Sequence, residues 1–217
     1  MELRVVFTAF FFSVGNIAVS GEGLKDAWEA MKKSDVFFLV RMAYKFSGEA
    51  DVNCIFSRVI DRNESSHKLL TVMGYYHPFT TEYYTFLGYV RTETGDDGIH
   101  SKMRVSYVEY DIQALEHETL FNDGNGCGII NITKLPDGHY LNQVGECEMW
   151  ATMDAARALR PDSPCEIQYE KLGCKTVSRP YKRTCKIPPR TLTCGTQDPS
   201  TCVCLKNEQP PPMYGQY

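Results

Sequence analysis

The sequence predicts an all-β fold: an eight-stranded antiparallel barrel with a short N-terminal helix and a C-terminal helix, held by disulfide bonds. Three observations predict it. Eight segments rich in β-branched and aromatic residues succeed one another across short links with turn-forming residues. Helical periodicity is confined to two short stretches. Nine cysteines suit a disulfide framework in an oxidising compartment. Closing up-and-down strands into a barrel removes exposed edges and leaves room for one small ligand. An open sandwich of the same strands is the alternative.

The chain opens with Arg4 before an apolar run from Val5 to Val14, too short to span a bilayer comfortably. Ala18 and Ser20 then place small residues where a signal peptidase needs them, just before Gly21. Residues 1–20 read as a cleaved secretory signal, with an uncleaved anchor as the alternative. No later segment is apolar for long enough to make a transmembrane helix, so a secreted protein without membrane association is expected. Residues 21–187 make up the barrel domain, and 188–217 a Cys/Pro-rich tail.

Leu24, Ala27, Trp28 and Met31 recur at helical spacing and predict the first helix. Strands are expected at 35–46, 52–60, 68–76, 80–90, 102–112, 117–122, 127–134 and 143–152. In the first of these, strict alternation puts Val36, Phe38, Val40, Met42 and Tyr44 on one face. "TGDDG", "NDGNG" and Pro136-Asp137-Gly138 make turns. "PDSPCEIQYEKLG" predicts the second helix. Ser163 is a candidate N-cap, Pro164 suits the first turn, Glu166 completes a capping box, and Gly173 closes the C-terminus. From Pro188 onward proline and polar residues dominate, giving a tail with little to bury. One disulfide could pin it. A small separate knob is the alternative, although Cys194, Cys202 and Cys204 cannot all pair with one another.

Composition and motifs exclude several functions. The net charge of −4 is spread along the chain, which gives no footprint for nucleic acid. Cys202-Val203-Cys204 lacks the two-to-four-residue gap of a zinc site, so no metal is expected. There is no nucleophile elbow, phosphate loop or His-Glu-x-x-His motif, which argues against an enzyme and offers no cofactor site. His67, His77, His100, His117 and His139 fall at turns and strand ends and read as solvated surface. Asn63-Glu64-Ser65 and Asn131-Ile132-Thr133 are glycosylation sequons, the first in a polar loop.

"DAW" at Asp26–Trp28, "AYKF", Cys54, "GNGCGIINI" around Cys127, "EMW" at Glu148–Trp150, then Cys165 and Cys185 follow one another in an order that resembles the tick salivary lipocalins of the histamine-binding protein family. The likeness covers roughly Lys25 to Cys185. The Gly-x-Trp of lipocalins at large is absent, and "DAW" takes its place. The resemblance implies a lipocalin barrel and three disulfides: Cys54–Cys185, Cys127–Cys165 and, as in many relatives, Cys147–Cys174. Each would stabilise the fold by about 3–5 kcal/mol in the chain-entropy model.

If Cys147 bonds outward to Cys174, Glu148 and Trp150 point into the barrel, because strand neighbours face opposite ways. An inward carboxylate must be paired, hydrated or protonated. Beside an indole it suits a small organic cation. Ordinary core packing of Trp150, with Glu148 at the mouth in water, is the alternative. The pair matches the family's "EL[WY]" amine-binding motif, with Met149 in place of leucine. By the same resemblance Tyr44 and Tyr107 are pocket aromatics, the match at Tyr107 being looser. Glu82 is a second pocket acid, sharing a face with Tyr84 and Phe86, or a solvated strand-end carboxylate. Two family acids are absent: Ser47 and Gly128 stand at their positions, and Glu49 or Asp51 are candidate substitutes for the first.

The expected function is sequestration of a biogenic amine, histamine or serotonin, to blunt host defence. Other branches of the family imply two alternatives. One is a fatty acid or eicosanoid, for which Arg41, Arg58 and Arg104 are available, although alternation turns Arg41 away from the Val36/Tyr44 face. The other is a host protein partner of the complement type, with the barrel as a monomeric scaffold.

Overall fold

The structure is a computed structural model. It describes residues 24–45, 52–107, 115–135, 143–187, 192–193 and 203–204. The expected signal segment, Ser47, Glu49, Asp51, the Pro136-Asp137-Gly138 turn, His139, and the pairing of Cys194 and Cys202 lie outside those residues.

Eight strands close into one antiparallel barrel in sequence order: β1 (Val36–Met42), β2 (Asn53–Asn63), β3 (Lys68–His77), β4 (Glu82–Glu93), β5 (Lys102–Tyr107), β6 (Leu115–Asn122), β7 (Cys127–Lys134) and β8 (Cys147–Thr152). β8 returns to β1, pairing Leu39 with Trp150 and Met42 with Glu148. The predicted order of eight strands is therefore observed, and closure replaces the sandwich alternative. The residues expected at 143–146 form a turn instead of strand, so β8 is short.

Helix α1 (Ala27–Met31) caps one end. The Asp26 carboxylate accepts from the Glu29 amide at 2.9 Å, which satisfies one of the otherwise unpaired first-turn donors. Trp28 is buried in a cluster with Val59, Leu69, Val90 and Met103. The helix is shorter than the spacing predicted, since Leu24 lies outside it and is exposed. The "DAW" triplet thus supplies a cap and a plug.

The outer wall of the barrel is covered from the C-terminal side. Helix α2 (Met153–Ala158), which the sequence reading missed, follows β8 directly, with Thr152 accepting from the Ala155 amide. Helix α3 (Pro164–Lys171) lays Cys165 and Tyr169 against Ile129 and Met149. All three disulfides form as the resemblance implied: Cys54–Cys185, Cys127–Cys165 and Cys147–Cys174. Gly173 closes α3 with φ +72°. The expected capping box does not form. The Ser163 hydroxyl accepts from the Arg160 amide, and Ser163 makes no side-chain cap to the helix. Glu166 instead bonds Arg41 at 2.6 Å, because both side chains are buried and a buried charge needs a full partner more than a helix amide does. In the tail, β9 (Leu192–Thr193) pairs with β10 (Val203–Cys204) as a two-stranded ribbon.

Strict alternation fails in β1. A β-bulge between Leu39 and Arg41 shifts the register against β8. Phe38 and Val40 therefore join clusters on the outer wall, while Met42 joins Leu39, Ile55 and Tyr75 inside with Tyr44. The five residues predicted to share a face are split between two, since a bulge adds one residue to one strand only.

Candidate functional site

The barrel encloses a cavity of about 190 Å³, many times the ~10–15 Å³ that one water occupies. Most of its wall is apolar: Phe37, Leu39, Met73, Phe86, Val105 and Phe121 are representative, and α1 closes the far end with Ala27, Ala30 and Met31. The inward side chains follow from alternation. Ile55 and Ser57 of β2, Met73 and Tyr75 of β3, and Met103 and Val105 of β5 line the cavity.

Among the described residues, one carboxylate lies in this wall, that of Glu148. Glu148 is 5% exposed. It points inward because Cys147, its neighbour, is tied outward to Cys174 of the covering segment, as the disulfide implied. The Tyr44 hydroxyl donates to Glu148 Oε1. The Trp150 indole N–H donates to Glu148 Oε2 at 2.7 Å. His117 Nε2 stands 3.9 Å from the same Oε2. The carboxylate thus has two neutral donors and an imidazole, and no lysine or arginine stands among the described residues lining the cavity. A carboxylate offers about four acceptor positions, so two bonds leave capacity for a ligand.

Tyr44, Glu148 and Trp150 are therefore brought together, and the bulge in β1 is what carries Tyr44 to the inside. Trp150 differs from expectation in one respect: its indole edge is engaged by Glu148, so it acts first as a donor to the carboxylate. Of the other two predicted residues, Glu82 is not brought in. Glu82 is the first residue of β4, exposed opposite His77, and does not line the cavity. Its strand face was read correctly, since Phe86 lines the cavity, but β4 extends past the rim and leaves Glu82 beyond it. Tyr107 ends β5 with its backbone paired to Gly88, and its side chain lies outside the described residues.

His117 corrects the reading of the histidines as solvated surface. It is 4% exposed and lines the cavity. The signal was present in "LEHETLF": Glu116 and Glu118 flank it, so the solvated face carries the glutamates and His117 must turn inward with Leu115, Thr119 and Phe121. Burial pushes its pKa below the ordinary 6.5, and the Glu148 carboxylate pulls in the opposite direction. The His117 Nδ1 and Thr119 Oγ1 atoms are buried without a hydrogen-bond partner.

The candidate basic groups for a lipid carboxylate lie elsewhere. Arg41 is outside the barrel, bonded to Glu166 and Glu170 and stacked 5.1 Å over Tyr169. Arg104 is exposed beside Glu93 and Glu116. Arg58 does not line the cavity. The carboxylate of Asp123 lies close to Cys127 and Cys165, but both sulfurs are in a disulfide, so this group offers no thiolate to a metal.

A closed eight-stranded barrel with a largely apolar hollow and a disulfide-tied covering helix defines a lipocalin-type small-ligand-binding protein. The chain belongs to the tick histamine-binding protein family, whose sequence model matches residues 20–187. Among solved structures, a serotonin complex of AM182 is 15% identical, with a TM-score of 0.49, and the match covers 74% of this chain and 92% of that one. The siderocalin Ex-FABP is 12% identical over 66% of this chain and 89% of its own, with a TM-score of 0.42. Apocrustacyanin C2 is 8% identical over 71% and 84%, with a TM-score of 0.41. Comparison with curated protein sequences finds no match. Among the described residues no helix is long and apolar enough to cross a membrane.

Proposed function

We propose that the chain is a secreted carrier that sequesters a biogenic amine, histamine or serotonin, and so keeps that mediator from host receptors. One observation carries the reading: a buried carboxylate, Glu148, stands in a largely apolar cavity and, among the described residues, has neutral donors around it. A negative charge held in this way lacks a full counter-charge, and an alkylammonium supplies one through charge-assisted hydrogen bonds. The apolar wall then takes the ligand's ring. A fatty acid would bring a second carboxylate to a site with no lysine or arginine among the described residues of its lining, which makes the amine the better fit. Secretion rests on the leader-like residues 1–20 and on three disulfides in a small barrel.

Isothermal titration of the purified protein with histamine and with serotonin tests the proposal. Heat that saturates at one equivalent of at least one amine is expected. Absence of heat at high micromolar ligand would contradict it. Glu148→Gln keeps the shape and removes the charge. It should weaken binding about 10–100-fold, the equivalent of a charge-assisted hydrogen bond of roughly 1.5–3 kcal/mol.

A further inference from the structure

We propose that His117 is an internal competitor for the Glu148 carboxylate, so that a proton on its ring and an organic cation in the cavity exclude each other and acid releases the ligand. The inference rests on Glu148 being the cation receptor and adds a coupling to that site.

The geometry carries it. His117 Nε2 and Glu148 Oε2 are 3.9 Å apart, and both side chains are almost wholly enclosed, at 5% and 6% exposure. At that distance the imidazole forms no hydrogen bond to the carboxylate, yet it lies within ion-pair range. In low dielectric a charge at 3.9 Å is screened little, so an imidazolium would satisfy Glu148 as an ammonium would.

Among the described residues, no other charged group intervenes. Across from His117 stand Met103 of β5 and Ile132 of β7, neither of them ionisable. Tyr44 and Glu148 are the ionisable groups from β8 and the end of β1 that share the pocket. Glu116, on the same strand, faces away toward Arg104 and Lys134. Lys102 and Arg104 of β5 are exposed on the outer face. Among the described residues, Glu148 is thus the charge that acts on His117. Burial favours the neutral ring, so near neutral pH the carboxylate is left open to a ligand.

The coupling has a definite form. Amine binding requires the neutral ring, so below the His117 midpoint each unit of pH lowers apparent affinity about tenfold. By linkage, each cation bound expels the fraction of a proton that the free ring holds. The cost of holding two cations on one carboxylate is the source of the exclusion.

Two measurements test this. Serotonin binding by calorimetry from pH 7.5 down through the His117 midpoint, in buffers of different ionisation enthalpy, should show falling affinity with proton release on binding. His117→Gln should remove both the proton release and the slope in that range, whatever its affinity at pH 7.5. A wild-type affinity independent of pH, or the same slope in His117→Gln, would overturn the inference. The second measurement needs no ligand: the His117 ring titration followed by NMR in the unliganded protein. Glu148→Gln should move its midpoint downward, because the attracting charge is gone, and an unmoved midpoint would overturn the pairing. If no amine binds at pH 7.5 while the midpoint still moves, the amine reading fails and the His117–Glu148 coupling stands.

Discussion

Arg41 shows how much one buried side chain organises outside the cavity. Its guanidinium reaches Glu166 at 2.6 Å and Glu170 at 2.7 Å, fastening α3 to the barrel wall. Removing one member of a buried pair leaves the other uncompensated. Arg41→Leu should therefore lower stability by about 3 kcal/mol or more, measured as a fall in the urea midpoint with unchanged slope. The inward side of Glu148 was legible once the family resemblance implied the Cys147–Cys174 bond, because a cysteine one residue away then has to face its partner. The role of Glu166 was not. A helix-start pattern is local, whereas the arginine that captures Glu166 comes from β1, and no local pattern encodes that meeting. His117 lay between these cases: the flanking glutamates disclosed its side, but its place beside Glu148 needed the register of β5 through β8.

At the scale of elements, the β8–α2 corner sets the direction in which the EMW strand leaves the barrel. Gly126 sits beside it with φ +100°, and a Cβ there would lie 2.8 Å from the Thr152 side chain that caps α2. Gly126→Ala should destabilise the protein by about 1–3 kcal/mol through backbone strain, with the cap loss added. Thermal melts of the two proteins measure it, and an unchanged Tm would show that Thr152 can move without consequence. Strand order was readable because each strand carries its own β-formers and turn residues. The bulge in β1 was not, because it depends on how Leu39 and Arg41 meet Trp150 and Met149, more than a hundred residues away. Its consequence is functional, since it turns Met42 and Tyr44 inward. The misplacement of Glu82 has a related origin: alternation gives a side chain's face but says nothing of where the rim of the barrel falls.

The described residues form a barrel plugged by α1, covered by α3 and tied to its C-terminal segment by Cys54–Cys185, around a hollow into which Glu148 projects. Its stability should carry the mark of His117. The folded ring holds its proton less tightly than the unfolded ring, whose value is near the ordinary 6.5. Above that value both states are neutral and the contribution to stability is complete. As pH falls through 6.5 and on to the lower folded value, the unfolded chain takes up the proton first and stability declines. Urea midpoints measured between pH 8 and 5 should fall in the wild type, and fall less in His117→Gln. The proposed amine binding depends on what the Glu148 carboxylate meets inside. The most direct measurement is a crystal structure of the protein grown with serotonin at neutral pH. The ammonium nitrogen should stand about 2.7–2.9 Å from a Glu148 oxygen, with the ring system lying along the apolar wall toward α1. A ligand seated with its ammonium in solvent, or Glu148 touched by Tyr44 and Trp150 alone, would contradict that placement.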